Sequence, residues 1–389
     1  MKQKLTKKEI WNIILLFIGW RVVVQFIAFL GKYRLFLSTD NAYDHLSPWS
    51  IDKLPEFLQY FVKWDSGFYL EIAKSGYFFD QAKNLYNTAF FPLYPLLIKI
   101  FSYVFQSQVI SGIIISTLAT FGVCYFLYKL AKIELQDNNS ALKSVFYFLI
   151  FPTAIFLASI YTESLFIFLA VACLYFARTR RFAIASSFGF FVATCRPIGI
   201  ILFLVLILEY IEQRKFSFKE IKLDILWTLL VPAGLASYML FLWIKFKNAF
   251  LFMQAQTAWD RKIGFDFWGI WIDLKNHVHD IFQPSQNFAF SLRNDFEFFF
   301  FITFLILSIV VFFRLRKSYG LYCFLALLIP FLTGSLISMT RFTLVLFPVF
   351  ILLAKFTIKR EWLNYFIIML FSMMLSLFTV MLANWYWIG

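Results

Sequence analysis

Runs of roughly 17 to 22 apolar residues recur along most of this 389-residue chain. That is the length a helix rising about 1.5 Å per residue needs to cross a hydrocarbon core of about 30 Å. A soluble fold could not hide so many of them: hydrophobic residues make up 61% of the chain and charged residues 15%, against about 25% charged in soluble domains. The sequence therefore predicts an all-α polytopic membrane protein. Helical spans, two of them shorter than this, are assigned near residues 10–30, 109–129, 143–159, 161–177, 182–195, 197–211, 223–244, 297–313, 319–336, 341–357 and 362–383, about eleven helices in one membrane-embedded domain over residues 1–389.

The net charge is +14, but Lys and Arg are scattered between apolar runs and build no continuous basic face, which argues against a nucleic-acid partner. A membrane explains the excess. With the N-terminus in the cytoplasm, the short inner connections carry Lys129, Lys132 and Lys143; Arg178, Arg180 and Arg181; Arg214, Lys215, Lys219 and Lys222; Arg314, Arg316 and Lys317; and Lys355, Lys359 and Arg360. Every one is basic, as the positive-inside rule requires. The alternation holds if residues 90–106, with Pro92 and Pro95 near their start, form a hemispan that stays on the outer side. Two long outer segments then remain, 31–108 and 245–296, with tight outer turns around Glu163, Arg196 and Arg341.

The basic start of the chain precedes an apolar run too long for a signal h-region, so it reads as a retained first helix. Cys124, Cys173, Cys195 and Cys323 lie in or beside apolar runs without CxxC spacing, which indicates neither disulfides nor a zinc site. His277 and His279 have no acidic companions and are not read as metal ligands. Many Phe and Lys residues suggest an AT-rich genome, and the sequon Asn138-Asn139-Ser140 falls on the cytoplasmic side. Both point to a bacterial inner-membrane protein.

The residues able to do chemistry collect on the outer side. Phe57, Phe61 and Trp64, then Phe68, Tyr69 and Ile72, sit at helical spacing and predict two amphipathic interfacial helices with Asp65 at the corner between them. Asp65 reads locally as an N-cap, a role that does not exclude catalysis. Glu163 stands at a helix N-terminus, where the macrodipole favours a carboxylate. Arg196 and Arg341 could be snorkelling anchors, yet two guanidinium groups beside two acids also suit a lipid phosphate. Gln256 and Trp259, followed by Arg261, pair an amide with an aromatic on one face if that segment is helical, as sugar sites do. Arg21 lies mid-span with Gln25 one turn on, and an intramembrane charge needs a partner; pairing with Glu163 is one expectation.

The stretch from Trp64 through Asp65, Ser66 and Gly67 to Tyr77, followed by Phe90-Phe91-Pro92-Leu93-Tyr94-Pro95-Leu96, resembles the PIG-V type mannosyltransferases, members of the membrane-embedded GT-C glycosyltransferases. Tyr161 to Phe166, Arg196 to Gly199, Gln256 to Arg261 and Arg341 to Pro348 resemble further blocks of that family in the same order. The resemblance implies a GT-C type fold and transfer of mannose from a polyprenyl-phosphate donor to a glycan or glycolipid acceptor hydroxyl on the extracytoplasmic face, with inversion. It implies Asp65 as general base, Arg196 and Arg341 on the donor phosphate, and Trp64, Tyr69, Glu163, Gln256, Trp259 and Arg261 on the substrates. No cofactor is expected beyond the lipid-linked sugar, and membrane lipids are the other partners. A secondary transporter or lipid flippase would share the hydropathy, but should show ionisable residues near the bilayer midplane in both halves.

Overall fold

The computed structural model of the chain describes residues 4–32, 54–80, 85–259, 261, 267–282, 288–333 and 335–388. In chain order its elements are α1 (Lys7–Lys32), α2 (Glu56–Gln59), α3 (Ser66–Ser75), a two-residue antiparallel pair β1 (Phe79–Asp80) and β2 (Leu85–Tyr86), α4 (Leu93–Phe105), α5 (Gln108–Leu135), α6 (Asn138–Leu149), α7 (Glu163–Arg178), α8 (Phe182–Cys195), α9 (Leu202–Glu212), α10 (Leu230–Phe246), α11 (Leu251–Gln254), α12 (Phe267–Phe282), α13 (Phe288–Arg314), α14 (Lys317–Phe331), α15 (Met339–Thr343), α16 (Pro348–Thr357) and α17 (Glu361–Ala383). Short 3-10 turns at Ala154–Leu157, Pro197–Ile201, Leu223–Leu229 and Ala255–Trp259 join several of them.

The architecture is all-α, as expected. Among the described residues, five helical stretches are long and apolar enough to cross a membrane: Lys7–Lys32, Gln108–Leu135, Leu223–Phe246, Asp295–Arg314 and Glu361–Ala383. They expose apolar side chains such as Trp11, Val22, Phe26, Leu240, Ile306, Trp362 and Met369, a surface suited to lipid. The shorter α7 is buried over nearly its whole length between α5 and α8. Small residues permit such close helix approach: a Cβ on Gly234 of α10 would collide with the Phe190 carbonyl of α8.

Three expected elements differ. The run 143–159 is not one span: α6 stops at Leu149, and Pro152, which has no N–H to give and restricts the residue before it, precedes a 3-10 turn. The run 341–357 is likewise split, with α15 ending at Thr343 and α16 opening at Pro348. The first of the two interfacial helices shrinks to the single turn α2, so Phe61 and Trp64 lie beyond it, Phe61 buried and Phe57 exposed. Trp64 takes a positive φ of 48° that no helix accommodates. The 13-residue α4, packed on α5, is about 20 Å long and too short to cross.

The two ends of the bundle differ chemically. At one end, Lys132 and Tyr128 hold Glu9, Arg178 and Tyr319 both donate to Glu134 at 2.7 and 2.9 Å, and Arg316 donates to the buried Glu209 at 3.0 Å. All the expected inner connections converge there. The other end gathers α2, α3, the turn before α7, the α8–α9 turn and α15.

Candidate active site

Asp65 sits in a tight corner built by hydrogen bonds. The Tyr161 hydroxyl accepts the Asp65 N–H and donates to the Lys63 carbonyl, both at 3.2 Å, while the Ser66 hydroxyl accepts the Lys63 N–H at 3.2 Å. Asp65 stands at the N-cap position of α3, yet its side chain makes no capping bond. Its carboxylate turns the other way and accepts from Arg341 Nη1 at 3.0 Å. The capping role that the local sequence suggests is therefore not realised.

Arg341 links two acids. Its Nε lies 3.4 Å from Glu163 Oε1, and the same oxygen accepts from Arg196 Nη1 at 2.9 Å. Four residues far apart in sequence thus form one chain of alternating charge: Asp65, Arg341, Glu163, Arg196. Glu163 is 1% exposed, and an unpaired carboxylate at that depth would cost several kcal/mol. Its position at the first residue of α7 adds the helix dipole to the two guanidinium groups. Burial pushes the Asp65 carboxyl above its ordinary value, and the nearby Glu163 charge adds to that, while Arg341 opposes it. The rise survives the ion pair because desolvation by burial is the largest of these influences.

A cavity of about 760 Å³ opens onto this network. Trp64, Asp65, Tyr69, Arg196, Gln256, Arg261 and Arg341 line it, with Thr162, Phe90, Phe91 and Phe342 among the walls. Seven of the nine expected site residues are therefore brought to one cavity. Glu163 lies behind the wall and orients the two arginines. The side chain of Trp259 falls outside the described residues, as do those of His277 and His279, which lie on α12. Tyr69 meets Thr162 Oγ1 at 3.3 Å. Arg261 spends its N–H groups on the carbonyls of Pro330 and Ile337, at 2.9 and 2.7 Å, and on Thr333 Oγ1 at 2.9 Å; it braces the loop after α14 while facing the cavity. The buried indole N–H of Trp64 lacks a hydrogen-bond partner among the described residues. A buried polar atom left open in this way is a place where a ligand can make its bond.

Arg21 does not pair with Glu163. Its Nη1 donates to the Ala158 carbonyl at 3.4 Å and its guanidinium lies 4.2 Å from the Phe61 ring centre. From mid-α1 it reaches only the underside of the Asp65 corner, while Glu163 is already satisfied by Arg196 and Arg341.

Two contributors escaped the sequence reading. The buried Glu297 of α13 accepts from the Ser338 and Thr340 N–H groups at 3.0 and 2.7 Å, and so fixes the turn that presents Arg341. The C-terminal segment after α17 places Trp387 5.3 Å from Trp64 and Trp385 4.1 Å from the Lys63 ammonium; Trp387 also lines the cavity. Only the aromatic density of residues 385–387 hinted at this.

The family of sequences described as mannosyltransferase (PIG-V) matches residues 8–257. The chain belongs to that family. The PIG-V match takes in Trp64, Asp65, Tyr69, Glu163, Arg196 and Gln256; Arg261 and Arg341 lie beyond it and are joined to the site by the fold. One relative is the GPI mannosyltransferase 2 of Schizosaccharomyces pombe, 28% identical over 108 residues. That alignment spans 27% of this chain and 22% of the relative's length.

Proposed function

We propose that this protein is a membrane mannosyltransferase that moves mannose from a polyprenyl-phosphate donor to an acceptor hydroxyl, with inversion at the anomeric carbon. The observation that carries the reading is the meeting of Asp65 with Arg341 and Arg196 at one cavity. The donor phosphate takes the guanidinium groups of Arg341 and Arg196, which lie against Phe342 at 5.7 and 5.3 Å from its ring centre. Bidentate guanidinium donors suit phosphate oxygens. As the phosphate engages Arg341 it competes with Asp65 for the same Nη1, and the freed carboxylate becomes available to the acceptor.

Asp65 then accepts the acceptor hydroxyl proton while that oxygen attacks the anomeric carbon. The bond from that carbon to the phosphate oxygen breaks, polyprenyl phosphate departs, and the proton leaves Asp65 for solvent. Each positioned cation that stabilises the departing charge is worth on the order of a hundredfold in rate, and a general base contributes about 10² to 10⁴. Trp64 and Gln256 offer an indole N–H and an amide to sugar hydroxyls.

The site end faces the extracytoplasmic side of a bacterial inner membrane, with the N-terminus and the basic connections in the cytoplasm and about eleven helical segments in the bilayer. The basic loops support that orientation. The test is to incubate purified protein in lipid with polyprenyl-phosphate mannose and a panel of glycan and glycolipid acceptors. Mannosylated product with release of polyprenyl phosphate is expected. A donor consumed no faster than in protein-free lipid, with every acceptor, would overturn the assignment.

A further inference from the structure

A second cavity, of about 700 Å³, lies at the opposite, basic end of the bundle, between the start of α1 and the ends of α5 and α7. Among the described residues three cations line it, Lys4, Lys129 and Arg181, and no carboxylate does. The neighbouring acids are already engaged: Glu9 by Lys132 and Tyr128, Glu134 by Arg178 and Tyr319. The Lys129 ammonium lies 5.0 and 4.5 Å from the ring centres of Tyr125 and Tyr175. Among the described residues neither Lys129 nor Arg181 has an ion-pair partner, although ion pairs satisfy Lys132, Arg178 and Arg316 at this end.

The floor and rim of the cleft are aromatic. Phe126 packs on Tyr175 and Phe176 at 5.5 and 5.7 Å and continues into Phe168 and Phe188, at 6.0 and 6.4 Å. The ridge beyond carries the exposed apolar residues Leu118, Ile184 and Phe191. Unpaired cations at one end and an apolar track at the other have the polarity of a phospholipid.

We propose that this cleft binds an anionic phospholipid from the leaflet at the basic end, with its phosphate on Lys129, Arg181 and Lys4 and its acyl chains along the Phe126 ridge. Basic pockets between membrane helices recognise lipid head groups in this way. The aromatic track favours a lipid over a free phosphate, which would have no use for it. The site shares no lining residue with the cavity at Asp65.

The test is lipid retention by the full-length protein in detergent, read by native mass spectrometry with phosphatidylglycerol, phosphatidylcholine or inorganic phosphate added. The expected result is saturable retention of phosphatidylglycerol, weaker retention of phosphatidylcholine, and no competition from inorganic phosphate at equal concentration. Each cation near the head group is worth about a fivefold change in affinity, so the double variant Lys129→Gln with Arg181→Gln should lose about 25-fold. Lys129→Arg, which keeps the charge, should bind as the wild type does, and Arg181→Gln alone, where no ion pair is broken, should fall about fivefold with unchanged thermal stability. Equal retention of both lipids, equal binding by the Arg181→Gln variant, or displacement by inorganic phosphate would overturn the proposal.

Discussion

Asp65 and Arg341 are 276 positions apart and 3.0 Å apart in space. The sequence offered each as a polar residue at a membrane edge, which is where a cap or a snorkelling anchor also sits. It could not offer the pairing, because no local rule joins α3 to α15. Nor could it place Glu163 behind the wall; its burial follows from two arginines that arrive from other turns. The pairing has a pH signature. Because burial holds the Asp65 carboxyl above its ordinary range and only the ionised form accepts a proton, kcat/KM should rise with pH through a limb of unit slope lying above about 3.9, the value of a free aspartate. A pH-rate profile checks this. A limb at or below that value would mean that the Arg341 pair outweighs desolvation.

Helices were the most legible elements, since a long apolar run in a membrane can only be a helix or a closed barrel. Their interruptions were less so: Pro152 and Pro348 are visible, but the apolar runs continue straight through them. The two breaks matter because the turns that follow α6 and precede α16 carry the chain to the site end, with Tyr161 and Arg341. Two substitutions probe this support. Glu297→Ala strips two buried N–H donors of their acceptor and should lower stability by about 2 kcal/mol or more, seen as a fall in Tm with detergent-purified protein, together with weaker donor binding as the Arg341 turn loosens. At Gly199, in the turn after Arg196, a Cβ would stand 2.5 Å from the Val192 carbonyl oxygen. Gly199→Ala should push the turn off α8 and raise the donor KM, measured as donor titration of transfer rate, whereas an unchanged KM would show that Arg196 does not depend on that packing.

Over the whole molecule, basic connections gather at one end and the Asp65 network at the other, and the proposed orientation puts the basic end in the cytoplasm by the positive-inside rule. Membrane orientation is open to direct measurement: with the native cysteines all buried, a cysteine at exposed Ser75 should react with an impermeant maleimide from outside intact cells, and one at exposed Arg180 only after permeabilisation. Reaction of both from the same side would refute the topology. The central claim is that the cavity at Asp65 is where sugar transfer occurs. Its most direct test compares wild type with Asp65→Asn in the same lipid, measuring mannose transfer and donor binding side by side. Loss of transfer by about 10² to 10⁴, with donor binding kept within a few-fold or improved as Arg341 is released to the phosphate, is the predicted result. Equal transfer by the two proteins would contradict it.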